Sequence, residues 1–399
     1  MGKRLVQINT VCNASTGRIM GDIQREAIKQ GYDAISFVGR RKPFEDIPCE
    51  KFGNPISFWI HVLITTVFDR QGFGSYFTTR KLIKRLREEK PDIIHLHNLH
   101  GYYLNLPVLF RYLKEEFEGK LFWTFHDCWP FTGHCAYFTA VDCDKWKREC
   151  SKCPNKRVYP ISFLVDSSTK NYRDKKKMFE NLKNLTIITP SQWGADLVKQ
   201  SFLKQYPVQT VKNGVDLQTF SYTEITKEVA CKYKFPCGKK ILLGVASIWD
   251  KRKGLDDFFN LAKVLPREYL IVLVGLTKRQ IKKMPVNIIG VPRTENVEEL
   301  VQIYSAAHIF INPSLEETFS LVTVEALACG TPVIVLDTSA VKELVCSNNG
   351  VVLSKHGNEE YVQAIKKIEE KNFSREQISI TVQKYDNDLF VKKVLKLYE

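Results

Sequence analysis

Two glutamates eight positions apart, Glu317 and Glu325, sit within `NPSLEETFSLVTVEALACGTPVI` (312–334). Apolar runs precede and follow them, `HIFINP` and `PVIVL`, so the acids fall inside a strand–helix–strand unit. Ligands bind at strand ends and helix starts in such units. Ser320 is expected as an N-cap, and Gly330 with Pro332 as the stop of a helix over 321–329. The N–H groups of Ser320, Leu321 and Val322 would then be available to a phosphate. Carboxylates accept hydrogen bonds from vicinal hydroxyls, so two of them beside a phosphate cradle suit a nucleotide sugar. Solvated surface glutamates are the plain alternative.

Those residues need a frame, and the chain reads as two. Before residue 215, `RLVQINT`, `AISFVG`, `DIIHLHN`, `KLFWTFHD`, `LTIITPS` and `VQTVKNGV` recur as short apolar runs, with a helix from about Ile19 to Gln30 stopped by Gly31. After it, `KKILLGVAS`, `YLIVLVG`, `VNIIGV`, `HIFINP` and `PVIVL` repeat the pattern. Runs that are apolar throughout suit strands covered on both faces. The expectation is an α/β protein of two doubly wound, Rossmann-like domains facing one another across a cleft. Their bounds would be 1–215 and 216–385, with a terminal helix over 386–399 that could return to the first domain.

The segment 312–334 resembles the signature of the family 4 glycosyltransferases, retaining enzymes of the GT-B fold: a Glu, seven residues, a second Glu, then an Ala-rich turn ending in Gly-Thr-Pro-Val. The resemblance extends through `STGR` (15–18), `FHD` (125–127), `PSQW`, `VKNGVDLQTF` and `KRKGLDDFFNLA`. It implies that Glu317 holds the transferred sugar and Glu325 the ribose. It gives Lys253 the charge of the departing diphosphate, which backbone groups around Phe319, Ser320 and Leu321 would cradle. Gly17 would let the first loop approach that diphosphate, and His126 would donate a hydrogen bond near the reacting sugar or shape the acceptor side. The family commonly has an arginine where this chain has Ser247. Arg252 either replaces it or is simply exposed. No cofactor is implied for the chemistry.

Between Cys128 and Cys153 lie five of the eleven cysteines. Cys150 and Cys153 form a C-x2-C pair that Cys135 and Cys143 could complete as a structural zinc site, with His134 a substitute ligand. Zinc would pin a loop (128–153) without a core of its own. Free buried cysteines and a disulfide are the alternatives.

The 399 residues carry a net charge of +15. The lysines and arginines are dispersed and not interleaved with aromatics, so nucleic acid is the poorer fit. An anionic membrane face suits the charge. `ISFWIHVLITTVF` (56–68) falls short of the roughly 18 apolar residues of a span and reads as a buried or interfacial helix. With no signal-like start, the expected protein is cytoplasmic and peripheral on the inner membrane face. It would move a sugar from a nucleotide-sugar donor to a saccharide or lipid-linked oligosaccharide acceptor. The rivals are a zinc-containing polyanion-binding protein on an inactive scaffold of this fold, and an epimerase or phosphorylase of the same fold.

Overall fold

A computed structural model describes residues 2–13, 15–236 and 238–399. The chain divides into two compact units, Met1–Lys212 with Phe390–Glu399, and Asn213–Leu389.

The first unit is built on seven parallel strands: β1 (Arg4–Asn9), β2 (Asp33–Val38), β3 (Cys49–Lys51), β4 (Ile93–Leu96), β5 (Lys120–Thr124), β6 (Leu185–Thr189) and β7 (Val208–Thr210). Their order is β3-β2-β1-β4-β5-β6-β7. The helices α1 (Ser15–Lys29), α2 (Pro55–Phe68), α3 (Tyr76–Glu89) and α4 (Leu106–Glu115) connect the earlier strands. Side chains alternate across the sheet, as strand geometry requires. Val6, Ile8 and Trp123 enter one core with Leu82, Phe110 and Phe179. Leu5, Ile93 and Phe122 face the other, with Ile19, Ile23 and Tyr398.

Tyr398 ties the chain's last turn into this unit. Its carbonyl accepts from Lys3 Nζ at 3.3 Å and Lys120 Nζ at 3.2 Å, and its hydroxyl lies 2.5 Å from His95 Nδ1.

The second unit has six parallel strands: β8 (Lys240–Val245), β9 (Tyr269–Val274), β10 (Ile288–Val291), β11 (Ile309–Asn312), β12 (Val333–Leu336) and β13 (Gly350–Leu353). They are ordered β10-β9-β8-β11-β12-β13. In both sheets the first strand has its sequence neighbour on one side and a later strand on the other. The chain therefore leaves in opposite directions at β1/β4 and at β8/β11, and the loops after those strands open a crevice. Of the expected site residues, Gly17 follows β1, Arg252 and Lys253 follow β8, and Glu317 to Glu325 follow β11, whereas His126 and the cysteine loop follow β5.

Among the described residues no helix is long and apolar enough to cross a membrane. The 56–68 segment is α2, started by Pro55 with Asn54 accepting from Ser57 N at 2.8 Å. It is a surface helix rather than a core one.

Candidate active site

In the second unit the loops after β8 and β11 lie side by side. Leu315 N donates to Arg252 O and Arg252 Nη1 donates to Glu316 O, both at 2.9 Å. That stitching brings Lys253 Nζ to 2.5 Å from Glu317 Oε1, with the two side chains only 18% and 12% exposed. Asp250 shapes the lysine's turn by accepting from Lys253 N at 2.9 Å, and Gly254 closes it at φ 71°. A side chain on Gly254 would meet Pro313 Cγ at 2.6 Å, so the close approach of the two loops needs glycine there. Burial opposes ionisation of Glu317, but Lys253 above all, then Arg252 and a hydrogen bond from Ser314, hold its carboxyl below the ordinary range. The result is an anchored carboxylate beside an ammonium.

Three residues on, Ser320 occupies the N-cap of the helix Leu321–Ala328 in a left-handed conformation, φ 85° and ψ 80°. Its side chain does not cap the helix. It lies 2.9 Å from both Asn312 Nδ2 and Thr323 Oγ1. The expected capping bond is absent because Asn312, at the end of β11, takes the hydroxyl instead. Phe319 is 3% exposed and stacks edge-on against Tyr385, so it can offer a ligand its backbone only. Leu321 and Val322 form the first turn, partly buried. Glu325 follows one turn later, 6% exposed, with its Oε2 accepting from Tyr304 Oη at 2.9 Å. Tyr304, in the helix Val297–Ala306, was not singled out from sequence, since a tyrosine in an amphipathic helix reads as core.

In the first unit a file of polar groups crosses one sheet face toward its C-terminal edge. Gln7 and His95 are register partners on β1 and β4, and His97 lies two residues beyond His95 on the same face. His126 lies two residues beyond Thr124 of β5. His97 Nδ1 is 3.1 Å from His126 Nε2, and His97 Nε2 is 3.1 Å from Gln7 Oε1. Gln7 Nε2 donates to Met20 O at 3.0 Å, which fixes the amide's orientation. Gln7 Oε1 must then accept from His97 Nε2–H, leaving His97 Nδ1 to accept from His126 Nε2–H. Burial chiefly lowers the His126 pKa, to about 4, so its ring is neutral at neutral pH. The neutral ring is then protonated on Nε2.

Next to it, Asp127 Oδ2 lies 2.6 Å from His100 Nε2, and His100 Nδ1 lies 2.8 Å from Tyr159 Oη. Neither His97 nor this Asp127–His100 pair was assigned a role from sequence, although the H-x-H of `IIHLHN` carried the signal.

Gly17 falls in the first turn of α1, not in a loop. The space its side chain would fill is taken by Cys12 O at 2.1 Å and Val11 O at 2.6 Å. Its lack of a side chain serves the packing of helix on loop.

Residues 16–219, more than half of the chain, match the family model described as Glycosyltransferase Family 4, and residues 227–385 match Glycosyl transferases group 1. The chain belongs to glycosyltransferase family 4.

This glycosyltransferase is 26% identical over 315 residues to the putative colanic acid biosynthesis glycosyl transferase WcaC of Escherichia coli K12, covering 76% of this chain and 73% of that one. The sucrose-phosphate synthase of Thermosynechococcus elongatus superposes with a TM-score of 0.72 at 17% identity, over 99% of this chain and 98% of that one. Anabaena HepE in complex with UDP-glucose gives 0.68 at 15% identity, over 99% and 98%. Such identities establish the fold, which is GT-B.

Ser247, in the place of the family's arginine, is exposed just after β8. Arg252 is half-buried and bonded to the Glu316 carbonyl, so it is not the fully exposed side chain that was the alternative.

The cysteine loop of the glycosyltransferase departs from expectation. It has a core: Trp129, Phe131, Phe138 and Trp146 are all buried, with Trp146 5.2 Å from Phe131 and 5.0 Å from Phe138 between ring centres. Lys175 Nζ is buried beneath it, donating to Trp129 O at 2.7 Å and Thr132 O at 3.0 Å. Cys135 and Cys153 are hydrogen-bonded thiols, and Cys150 Sγ accepts from Gly133 N at 3.1 Å. Among the described residues no group of three or more His, Cys, Asp or Glu side chains is placed to hold a metal. His134, the substitute ligand, is engaged with Asp69. With its buried aromatics the loop has a core of its own, contrary to expectation.

Proposed function

We propose that this glycosyltransferase moves a sugar from a nucleotide-sugar donor to a saccharide acceptor, lipid-linked and presented at the cytoplasmic membrane face, in surface polysaccharide synthesis, with retention at the anomeric carbon. One observation carries the reading: the Lys253–Glu317 pair lies at the β8/β11 crevice, close in sequence to a helix start that no side chain from Ser320 caps.

The N-terminal turn at Leu321 and Val322, with the backbone around Phe319 and Ser320, suits a diphosphate. Lys253 meets the charge that grows on its leaving oxygen. Glu317, held ionised, accepts from hydroxyls of the transferred sugar. Glu325, oriented by Tyr304, accepts from ribose hydroxyls. Arg252 borders the diphosphate from the loop after β8. In the first unit, His126 shapes the acceptor side. The bond from anomeric carbon to diphosphate oxygen breaks through an oxocarbenium-like state. The acceptor hydroxyl adds on the same face, and the departing diphosphate takes its proton. UDP-glucose in HepE and colanic acid synthesis in the name of WcaC support a nucleotide-sugar donor and a polysaccharide product.

The test is a thermal-shift panel of UDP, GDP, ADP and their sugars. Stabilisation by one nucleotide class, lost in Glu325→Ala, is the expected result. No shift with any nucleotide would overturn the donor reading.

A further inference from the structure

α2 is an inside-out helix. Its polar residues face the protein: His61 Nε2 accepts from Gly72 N at 3.0 Å, His61 Nδ1 lies 2.9 Å from Ser75 Oγ, and Thr65 Oγ1 donates to Gln71 Oε1 at 3.0 Å. Its outward face is Ile56, Trp59, Ile60 and Leu63, which are 75%, 66%, 52% and 59% exposed. That spacing of three, four and seven residues is a single helical stripe. The fourteen residues of α2 contain no charged side chain.

A second apolar piece is fastened to its end. Phe163 N donates to Thr66 O at 2.8 Å and Val165 N to Val67 O at 3.1 Å, and both Phe163 and Leu164 are exposed. Arg157 lies over the Phe163 ring at 5.5 Å. An exposed apolar surface of this extent, with a tryptophan in it, marks an interaction site.

Charge selects the occupant. Ser57 Oγ lies 3.3 Å from Thr78 Oγ1, joining α2 to the start of α3, where Phe77 is exposed. The groove between α3 and α4 then carries Arg80, Lys81, Lys84, Arg87 and Arg111. Glu116 is the carboxylate lining that groove, and it is already bonded to Arg87. Pairing two copies of a chain of net charge +15 through this face would bring like charges together. An anionic lipid surface satisfies both parts, taking the stripe into its interfacial layer and the cations onto its phosphates.

We propose that α2, with Phe163 and Leu164, docks this glycosyltransferase on anionic phospholipid membranes, the α3–α4 groove engaging the headgroups. Docking would bring the protein to a lipid-linked acceptor, and to that extent rests on the acceptor part of the reading above. Vesicle binding is measured without donor or acceptor, so the two readings fail separately.

The experiment uses the full chain with phosphatidylcholine vesicles, with and without phosphatidylglycerol. Co-sedimentation is expected with the anionic vesicles alone, accompanied by a blue shift of tryptophan emission. Trp59 is the exposed one of six tryptophans, so Trp59→Phe should abolish the shift while vesicles still bind. Ile60→Ser with Leu63→Ser, and separately Arg80→Ala with Lys84→Ala, should each weaken binding about tenfold or more. These side chains are already in solvent, and unchanged circular dichroism checks the fold. No binding by the wild-type chain, binding without a Trp59 shift, or unweakened variants would overturn the proposal. A dimer in light scattering that Leu63→Ser dissolves would overturn it in favour of a second copy.

Discussion

His97 Nδ1 and His126 Nε2 lie 3.1 Å apart, with ring planes 14° from parallel, and share one proton that Gln7 assigns to His126. His97→Phe removes the acceptor, so the His126 ring is expected to populate both tautomers. Nitrogen chemical shifts should then show a mixture where the wild-type protein shows Nε2 protonated. The turnover number should fall about tenfold, the worth of one misplaced hydrogen bond, with little change in donor KM. Gln7→Glu retains an acceptor for His97 Nε2–H and should leave the tautomer unchanged. An unaltered tautomer in His97→Phe would show that Gln7 and His97 do not control it.

Lys253 and Glu317 form a pair whose members should be tested singly and together. Lys253→Met strips Glu317 of its main counter-charge, and burial should then push that carboxyl upward. The expected cost to the second unit is about 1–3 kcal/mol, below that of a fully buried pair because some solvent reaches both groups. The double variant with Glu317→Gln should recover most of that stability. Activity should not return: each single variant and the double should lose about 100-fold or more in kcat. Thermal unfolding and steady-state rates separate these outcomes. A double variant as unstable as Lys253→Met would mean that the ion pair is not the source of the loss.

Sequence reasoning reached the strands, because runs such as `LTIITPS` and `YLIVLVG` state their burial directly. It missed β3 and β13, where `CEK` is short and half polar and `GVVL` follows an irregular turn. The acids around Ser320 were legible because the 312–334 motif spans one continuous unit. Gln7, His97 and Tyr304 were not, because their relevance depends on which strands and helices become neighbours. Gly17 was legible as a glycine that mattered but not as one packed under its own loop's carbonyls. The cysteine loop hid its core for a physical reason. Its thiols invite a metal reading, while Phe131, Phe138 and Trp146 reveal a core only once the loop is folded.

Gly254 has φ 71° and no room for a side chain, whereas Gly31 has φ 86° and open space around it. Alanine at either position meets the left-handed backbone cost of about 1–2 kcal/mol. Only Gly254→Ala should also displace the loop carrying Lys253, because its new methyl group meets Pro313. Gly31→Ala is therefore expected to lower Tm and leave kcat/KM unchanged, while Gly254→Ala lowers both. Equal kinetics in the two variants would show that the Lys253 turn tolerates a shift.

Four histidines of the first unit are buried in their neutral form. Burial lowers His61 and His95 to about 3 and His126 to about 4, and takes His97 well below its ordinary value, with neighbouring histidines adding to the effect. In the unfolded chain each titrates near 6.5. Between about pH 4 and 6.5 the unfolded state therefore binds more protons, and stability rises with pH. The contribution is fully present above pH 6.5 and is lost as acid is added, by at most about 1.4 kcal/mol per histidine per pH unit. His134 opposes this: although burial disfavours its charge, Asp69 raises its pKa, so its contribution is greatest in acid and is lost as pH rises. Four groups outweigh one. Tm of the first unit should fall steeply from pH 6.5 to 5, with these groups adding no slope between pH 7 and 8. His95→Asn should make the acid limb shallower by about one histidine's share. A Tm that holds constant down to pH 5 would mean that these rings take up protons without leaving their buried places.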